Sequence, residues 1–381
     1  MITKEKITVM HFVYTLYGGV ANVATGLINY QHSIGLKTVL VYCEYDQAIE
    51  SQLEFKCEKI CVRMSKLPGS SMMFGMHINK IYNEYKHNHI DEFVVVHVHN
   101  IQTVGAFTNL KGIPIICTLH GFNCVNKSWR KPFSDWLYRK ALSNLISHGN
   151  KVTAVSKAIT DAKECQKVKG NAQIHVIHNC ADVNLLDKKI HKGFNVGQVG
   201  DLSYEKGWDT FIKGYKLLPE EYKKDIRLCS AGNEADFTAE WIDNEIKSGC
   251  LGDNVYYAGY VDNAKKDFIS EMDVLVIASR NEGLGLVQIE AMGYGIPVLG
   301  RNVGGICEVL KNKFNGYVIN DEMDLSRRIV ELYEDKELYS KFCRNAINTY
   351  KAKFTREIIM YKYLTIYNEL LNEHGVQKIV E

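Results

Sequence analysis

The 381-residue chain has almost no net charge, with Lys+Arg 46 against Asp+Glu 44. Bulk nucleic-acid binding needs a broad basic field, and this balance excludes one. Paired cysteines are missing too. The eleven cysteines are odd in number and scattered. The nearest two, Cys57 and Cys61, lack C-x-x-C spacing and a second pair, which excludes an ordinary zinc or redox centre and favours free thiols in a reducing cytosol. No apolar run reaches the roughly 20 residues a spanning helix requires. The opening MITKEKITVMHFV turns charged too soon to serve as a secretory signal. A soluble, cytoplasmic protein is expected.

What is present is alternation. Hydrophobic residues make up 46% and charged residues 24%, enough for two domains with separate cores. Ile7–Val13, Thr38–Tyr42, Phe93–Val98, Ile113–Thr118, Val152–Val155 and His175–Ile177 read as buried strands. Amphipathic stretches such as Ala21–His32 and Trp136–Leu145 lie between them. After the polar stretch DKKIHKG (187–193), read as a linker, a second series follows: Val196–Val199, Ile226–Ala231, Val255–Ala258, Val274–Ala278 and Pro297–Gly300. From Met323 onward the pattern is helical. The βαβ rhythm predicts an α/β protein with two Rossmann-like doubly wound domains facing a cleft. The expected boundaries are 1–187 and 188–359, with a C-terminal helix at about 360–381 packing back on the first domain.

The stretch SRNEGLGLVQIEAMGYGIPVLG (279–300) carries the most chemistry. Ile277–Ser279 should end a strand, and Gly283–Gly285 should turn into a helix beginning near Leu286. Unpaired N–H groups at a helix start favour an anion, and glycines let a phosphate approach. Glu282 sits on the loop and Glu290 lies one to two turns further on, too far apart to share a proton. Two carboxylates so placed suit hydrogen bonds to two sugar rings flanking a phosphate. The spacing alone equally fits a solvated loop carboxylate and a helix-surface one. There is no third glycine for a dinucleotide fingerprint. Glu44, ending the second strand, therefore makes a poor NAD ribose acid, since YGGVAN lacks G-x-G-x-x-G. His97 and His99 share a strand face, but without a third ligand nearby they read as satisfied strand-end histidines rather than a metal pair.

The flanks extend the pattern. The stretch 279–300 resembles the E-x7-E signature of retaining glycosyltransferase family 4, of the GT-B fold and bacterial surface-polysaccharide type. YGGVANV (17–23), TLHGF (118–122), VSKAI (155–159), VIHNCADV (176–183), VGDLSYEKGWDTFI (199–212), GYV (259–261) and GGICEVL with GYVI (304–319) match in order over nearly the whole chain. The resemblance implies a catalytic group of Glu282, His120 and Lys206. Glu282 would hold hydroxyls of the transferred sugar, Lys206 would neutralise the leaving phosphate, and His120 would lie near the sugar's reactive face. Donor contacts would come from Gly18, Gly19, Lys206, Val261, Arg280, Gly283, Leu284, Gly285, Leu286, Val287 and Glu290, with Glu290 on the nucleotide ribose and Val261 near the base. The chain departs from the family where Asp201 replaces a common Arg, where HNC (178–180) replaces Pro-Asn-Gly, and where Ala21 replaces Glu. Asp201 must turn away, pair with Lys206, or mark a weakened site, and Arg280 is the candidate to restore the charge.

The resemblance thus implies transfer of a sugar from a nucleotide-diphosphate sugar, a UDP-sugar foremost, to a hydroxyl of a glycan or lipid-linked glycan. The anomeric configuration would be retained. No D-x-D pair is present, so no metal and no cofactor are expected. The alternatives are a non-catalytic glycan-binding or partner subunit and a nucleotide-sugar isomerase. KSWRKPFSDWLYRK (127–140) reads first as a helix packing its aromatics inward. The second reading is a patch for an anionic membrane, on its inner face.

Overall fold

The computed structural model describes residues 6–381 except 15, 17, 44–56, 64–69, 102–103, 105–108, 122–130, 163–164, 166–173, 234–239, 242–243, 246–247, 249–250, 252–253, 262, 377–378 and 380–381. Two compact units emerge, Met1–Asn179 with Glu357–Glu381, and Cys180–Arg356.

The first unit is built on seven parallel strands. These are β1 (Ile7–Val13), β2 (Lys37–Cys43), β3 (Glu58–Val62), β4 (Phe93–His99), β5 (Ile115–Leu119), β6 (Lys151–Ala154) and β7 (His175–Val176). They lie in the order β3-β2-β1-β4-β5-β6-β7. Strands such as Ile7–Val13 are buried at every position, as expected where helices cover both faces of a parallel sheet. The second unit has six: β8 (Phe194–Val199), β9 (Ile226–Ala231), β10 (Val255–Tyr257), β11 (Val274–Ile277), β12 (Val298–Arg301) and β13 (Gly316–Ile319). Their order is β10-β9-β8-β11-β12-β13. Both orders reverse once, between β1 and β4 and between β8 and β11. Each unit is therefore a Rossmann-like α/β domain with a crevice at its switch point.

Two strands go unannounced by the sequence pattern, and both are edges. β3 pairs only with β2 and exposes most of EKICV, so its apolar signal is thin. β13 is only four residues long, and the unusual φ of 156° at Gly316 brings its backbone against Val298. The polar stretch Asp187–Gly193 lies within the second unit and is tied down there. Lys188 donates to the Met272 carbonyl, and Lys189 pairs with Glu271 at 2.7 Å.

The second unit's core gathers around the helix Trp208–Lys216, whose Trp208, Phe211, Ile212 and Tyr215 are fully buried. Gly214 lets the helix Glu322–Glu334 approach, since a Cβ there would lie 2.6 Å from Leu325. Helix ends are capped by Asp321 on the Asp324 amide and by Asp335 on the Leu338 amide, each cap contributing about 1 kcal/mol. In the first unit, the helix Arg356–Glu373 buries Tyr363 and Tyr367 and ties Glu373 to Lys151 at 2.5 Å. Among the described residues no helix is long and apolar enough to cross a membrane.

Candidate active site

The second unit's switch point is furnished by two loops. After β8 the chain passes Gly200 and Asp201 into a 3-10 turn, Tyr204–Lys206, and then Gly207. Gly207 has φ 69° and a Cβ there would sit 2.0 Å from the Ala278 carbonyl oxygen. Only glycine lets this turn press against the end of β11. After β11 comes Ser279–Gly285, then the helix Leu286–Gly293. The two loops meet through charge: Lys206 Nζ lies 2.9 Å from Glu282 Oε2, and Ser279 donates to the same oxygen at 3.4 Å. The sequence suggested three fates for Asp201. The structure pairs Lys206 with Glu282, leaves Asp201 exposed, and has its backbone carbonyl accept from the Trp208 indole at 2.9 Å.

Glu282 is also fixed through its backbone. Gly304, at φ 52°, comes so close that a Cβ would lie 1.7 Å from the Glu282 carbonyl, and Gly305 N–H donates to that oxygen at 3.2 Å. The Gly-Gly pair of GGICEV was legible as a motif, but this supporting role was not. Gly285, at φ 81°, occupies the capping position of the helix and offers no side chain. Leu286 and Val287 therefore open a helix without a side-chain cap, an end suited to an anion. Leu284 is buried and its carbonyl accepts from the Gln288 amide, which braces Gly283–Gly285. Glu290 is partly buried one turn into the helix.

Arg280 takes another course. Its guanidinium grips Asp209 with two bonds of 2.8 Å, donates to the Tyr204 carbonyl at 2.6 Å, and stacks 3.8 Å from the Tyr204 ring. Burial pushes Asp209 upward, but the Arg280 hydrogen bonds and charge outweigh it and hold the carboxyl below its usual range. Arg280 thus clamps the Lys206 turn to the Glu282 loop. Val261 lies in the loop after β10, two strands from β8.

Gly18, Gly19 and His120 belong to the first unit. Gly18 and Gly19 open the helix Gly18–Ser33, both exposed, with nothing within 4 Å of a Cβ built at either. His120 follows β5. Its N–H donates to the Asn100 side chain at 3.1 Å, and Asn100 adopts a φ of 85° there. Its ring lies 3.2 Å from that of His99, and burial pulls its pKa down to about 4.

Two family models fit the chain in succession, Glycosyltransferase Family 4 over residues 17–185 and Glycosyl transferases group 1 over 187–349. The chain is a GT-B glycosyltransferase. It is 26% identical to N-acetyl-alpha-D-glucosaminyl L-malate synthase of Bacillus anthracis, covering 70% of this chain and 71% of that one. It is 24% identical to the capsular polysaccharide biosynthesis glycosyltransferase CapM of Staphylococcus aureus, covering 63% and 61%. Its fold is similar to Anabaena Alr3699/HepE, solved with UDP and glucose, at TM-score 0.75 and 18% identity over 95% of this chain and 99% of that one.

Proposed function

We propose that this glycosyltransferase moves a sugar from a UDP-sugar to a hydroxyl of a glycan or lipid-linked glycan in surface-polysaccharide synthesis, with retention and without a metal. The observation that carries the reading is the Lys206–Glu282 pair spanning the switch point, beside a helix start with no side-chain cap. Lys206 and Glu282 neutralise each other across the two loops. When donor binds, Lys206 exchanges Glu282 for the diphosphate, and Glu282 turns to the hydroxyls of the sugar. The amides of Gly283–Val287 share the phosphate charge, Glu290 takes the ribose, and Val261 lies near the base. Gly18, Gly19 and His120 are the first unit's contribution, Met1–Asn179 with Glu357–Glu381 taking the acceptor and Cys180–Arg356 the donor. Arg280 acts as the brace of this site. UDP and glucose in the HepE structure and the capsule role in CapM's name favour this donor and pathway class.

No side chain is placed as a nucleophile. The sugar carbon breaks its bond to phosphate oxygen and bonds the acceptor oxygen on the same face. The departing phosphate takes the acceptor's proton. Fixed dipoles and Lys206 stabilise the charge that grows on the leaving group. Donor hydrolysis across UDP-, GDP- and ADP-sugars, with and without excess EDTA, tests this. A UDP-sugar should be turned over equally in both. Binding without turnover would mark a non-catalytic subunit, and loss on chelation restored by manganese would remove Lys206 from the leaving-group role.

A further inference from the structure

The first unit's switch point holds a buried chain of polar side chains. His11 on β1 pairs in register with His97 on β4, and His99 follows two residues later. All three are essentially inaccessible. His120 contacts His99 Nδ1 through Nε2 at 3.2 Å; His99 Nε2 contacts His11 Nδ1 at 3.2 Å; His11 Nε2 contacts Gln31 Oε1 at 2.7 Å. The chain continues from Gln31 Nε2 to the Tyr367 hydroxyl at 2.9 Å, and from there to His97 Nδ1 at 2.5 Å. It ends through His97 Nε2 on Thr118 at 2.7 Å and Thr118 on Thr153 at 2.8 Å.

Three clustered histidines invite a metal, since their nitrogens lie within 4.8 Å of one another. The geometry rejects it. A metal must lie in the plane of each ligating ring, yet the His97 and His99 planes are 14° apart with centroids separated by 4.5 Å. Every ring nitrogen of the three already has a partner in the chain.

Each link fixes the next. A neutral imidazole has one N–H and one lone pair, so a proton assigned anywhere sets the rest. Two directions are self-consistent, and Tyr367 chooses between them. A phenol is the most acidic neutral donor here and an imidazole nitrogen the best acceptor, and their link is the shortest of the chain. Tyr367 therefore donates to His97 Nδ1 and accepts from Gln31 N–H. That turns Gln31 Oε1 toward His11, which donates from Nε2. His99 then donates from Nε2 to His11, and His120 from Nε2 to His99. An amide passes no proton at ordinary pH, so Gln31 transmits orientation rather than charge.

We propose that Gln31 and Tyr367, through His11 and His99, are positioning residues that lock His120 as the neutral Nε2–H tautomer, presenting its Nδ1 lone pair to a substrate hydroxyl. The last clause rests on the proposed placement of His120 beside the transferred sugar. The first does not, and ligand-free protein tests it. Long-range 1H–15N spectra of the imidazoles should show His11, His97, His99 and His120 all protonated at Nε2. Gln31→Met and, separately, Tyr367→Phe should give His120 a population protonated at Nδ1. With donor and acceptor, kcat should fall in step with the lost Nε2–H fraction, about twofold for an even mixture. His120 protonated at Nδ1 in the wild type, or a tautomer unmoved in both variants, overturns the relay. A tautomer that shifts while kcat stays constant upholds the relay and overturns the placement of His120 against the sugar.

Discussion

The two units wind their sheets alike and furnish the reversal points oppositely. Between β8 and β11 stands a partly exposed ion pair, Lys206 and Glu282, held by glycines that admit no side chain. Between β1 and β4 lies a run of buried neutral imidazoles with no charge at all. The topology supplies a crevice in both cases, and the residues decide what it does. Charge at the second unit's crevice suits a diphosphate. Neutral hydrogen-bonding groups at the first suit hydroxyls. The contrast extends to cost: a partly exposed, screened pair adds little stability, whereas buried imidazoles bind the fold's stability to pH.

The largest effect expected from breaking this contrast is on turnover. Lys206→Ala should lower kcat by about 10²–10³-fold, the usual loss for one electrostatic contact to a leaving group. Stability should change by no more than about 1 kcal/mol, because the pair is partly exposed and screened. Glu282→Ala should cut turnover comparably yet leave UDP affinity intact or improved, since it frees Lys206. Kinetics and UDP titration on both variants and on the double variant give the coupling directly. Equal losses of UDP affinity in the two single variants would remove the division of labour proposed for them.

Much of the second unit's site was legible because its residues are close in sequence. Glu282, the glycine loop, Leu286 and Glu290 fall within nine positions, so one loop and the first turn of the helix that follows it hold them together. Lys206 was placed by motif, and its partner was not, because a contact across 76 residues depends on β8 neighbouring β11. The same reason hid His11. His97 and His99 share a face by strand periodicity, but the third imidazole arrives by register with a strand 86 residues earlier. Arg280 was expected on the donor. Its grip on Asp209 reflects an approach of two turns that only Gly207 permits. The edge strand β3, mostly exposed, lacked the apolar density that marks central strands.

A smaller effect separates the units by acid. Burial lowers the pKa of His11 to about 4 against an offset from Gln31, and burial followed by neighbouring imidazoles holds His97 and His99 well below 6.5. Unfolded histidines take up protons near pH 6.5 while the folded ones stay neutral. Their contribution is complete above that pH and is lost as pH falls below 6.5, at up to about 1.4 kcal/mol per pH unit for each. The second unit's lowered carboxyls, Asp209 and Asp324, lose theirs only below 3.8. Hydrogen exchange at pH 7.5 and pH 5 should show β1 and β4 losing protection while β8 and β11 keep it. Parallel losses in both sheets would contradict the assignment of neutral buried imidazoles to the first unit alone.

The smallest effect concerns what each unit binds. In the helix Lys131–Ser147 of the first unit, Trp136 is 44% exposed and Lys140 stands 5.1 Å over its ring. An aromatic packed inward would be covered, so the core reading fails at Trp136. Residues 127–130, with Lys127, Trp129 and Arg130, lie outside the described residues, as do the side chains of Lys131 and Phe133. An exposed indole beside a lysine is the arrangement that enters a headgroup layer, with each cation near the surface contributing about 1 kcal/mol. A membrane-borne acceptor would then be met by the first unit while the second takes soluble donor. The protein should co-sediment with anionic liposomes at low salt and leave them at high salt. Changing Arg130, Lys131 and Lys140 together to Ser should weaken that binding without altering UDP affinity. If the wild type ignores liposomes at low salt, or if the triple variant loses UDP binding as well, the two surfaces do not divide as proposed.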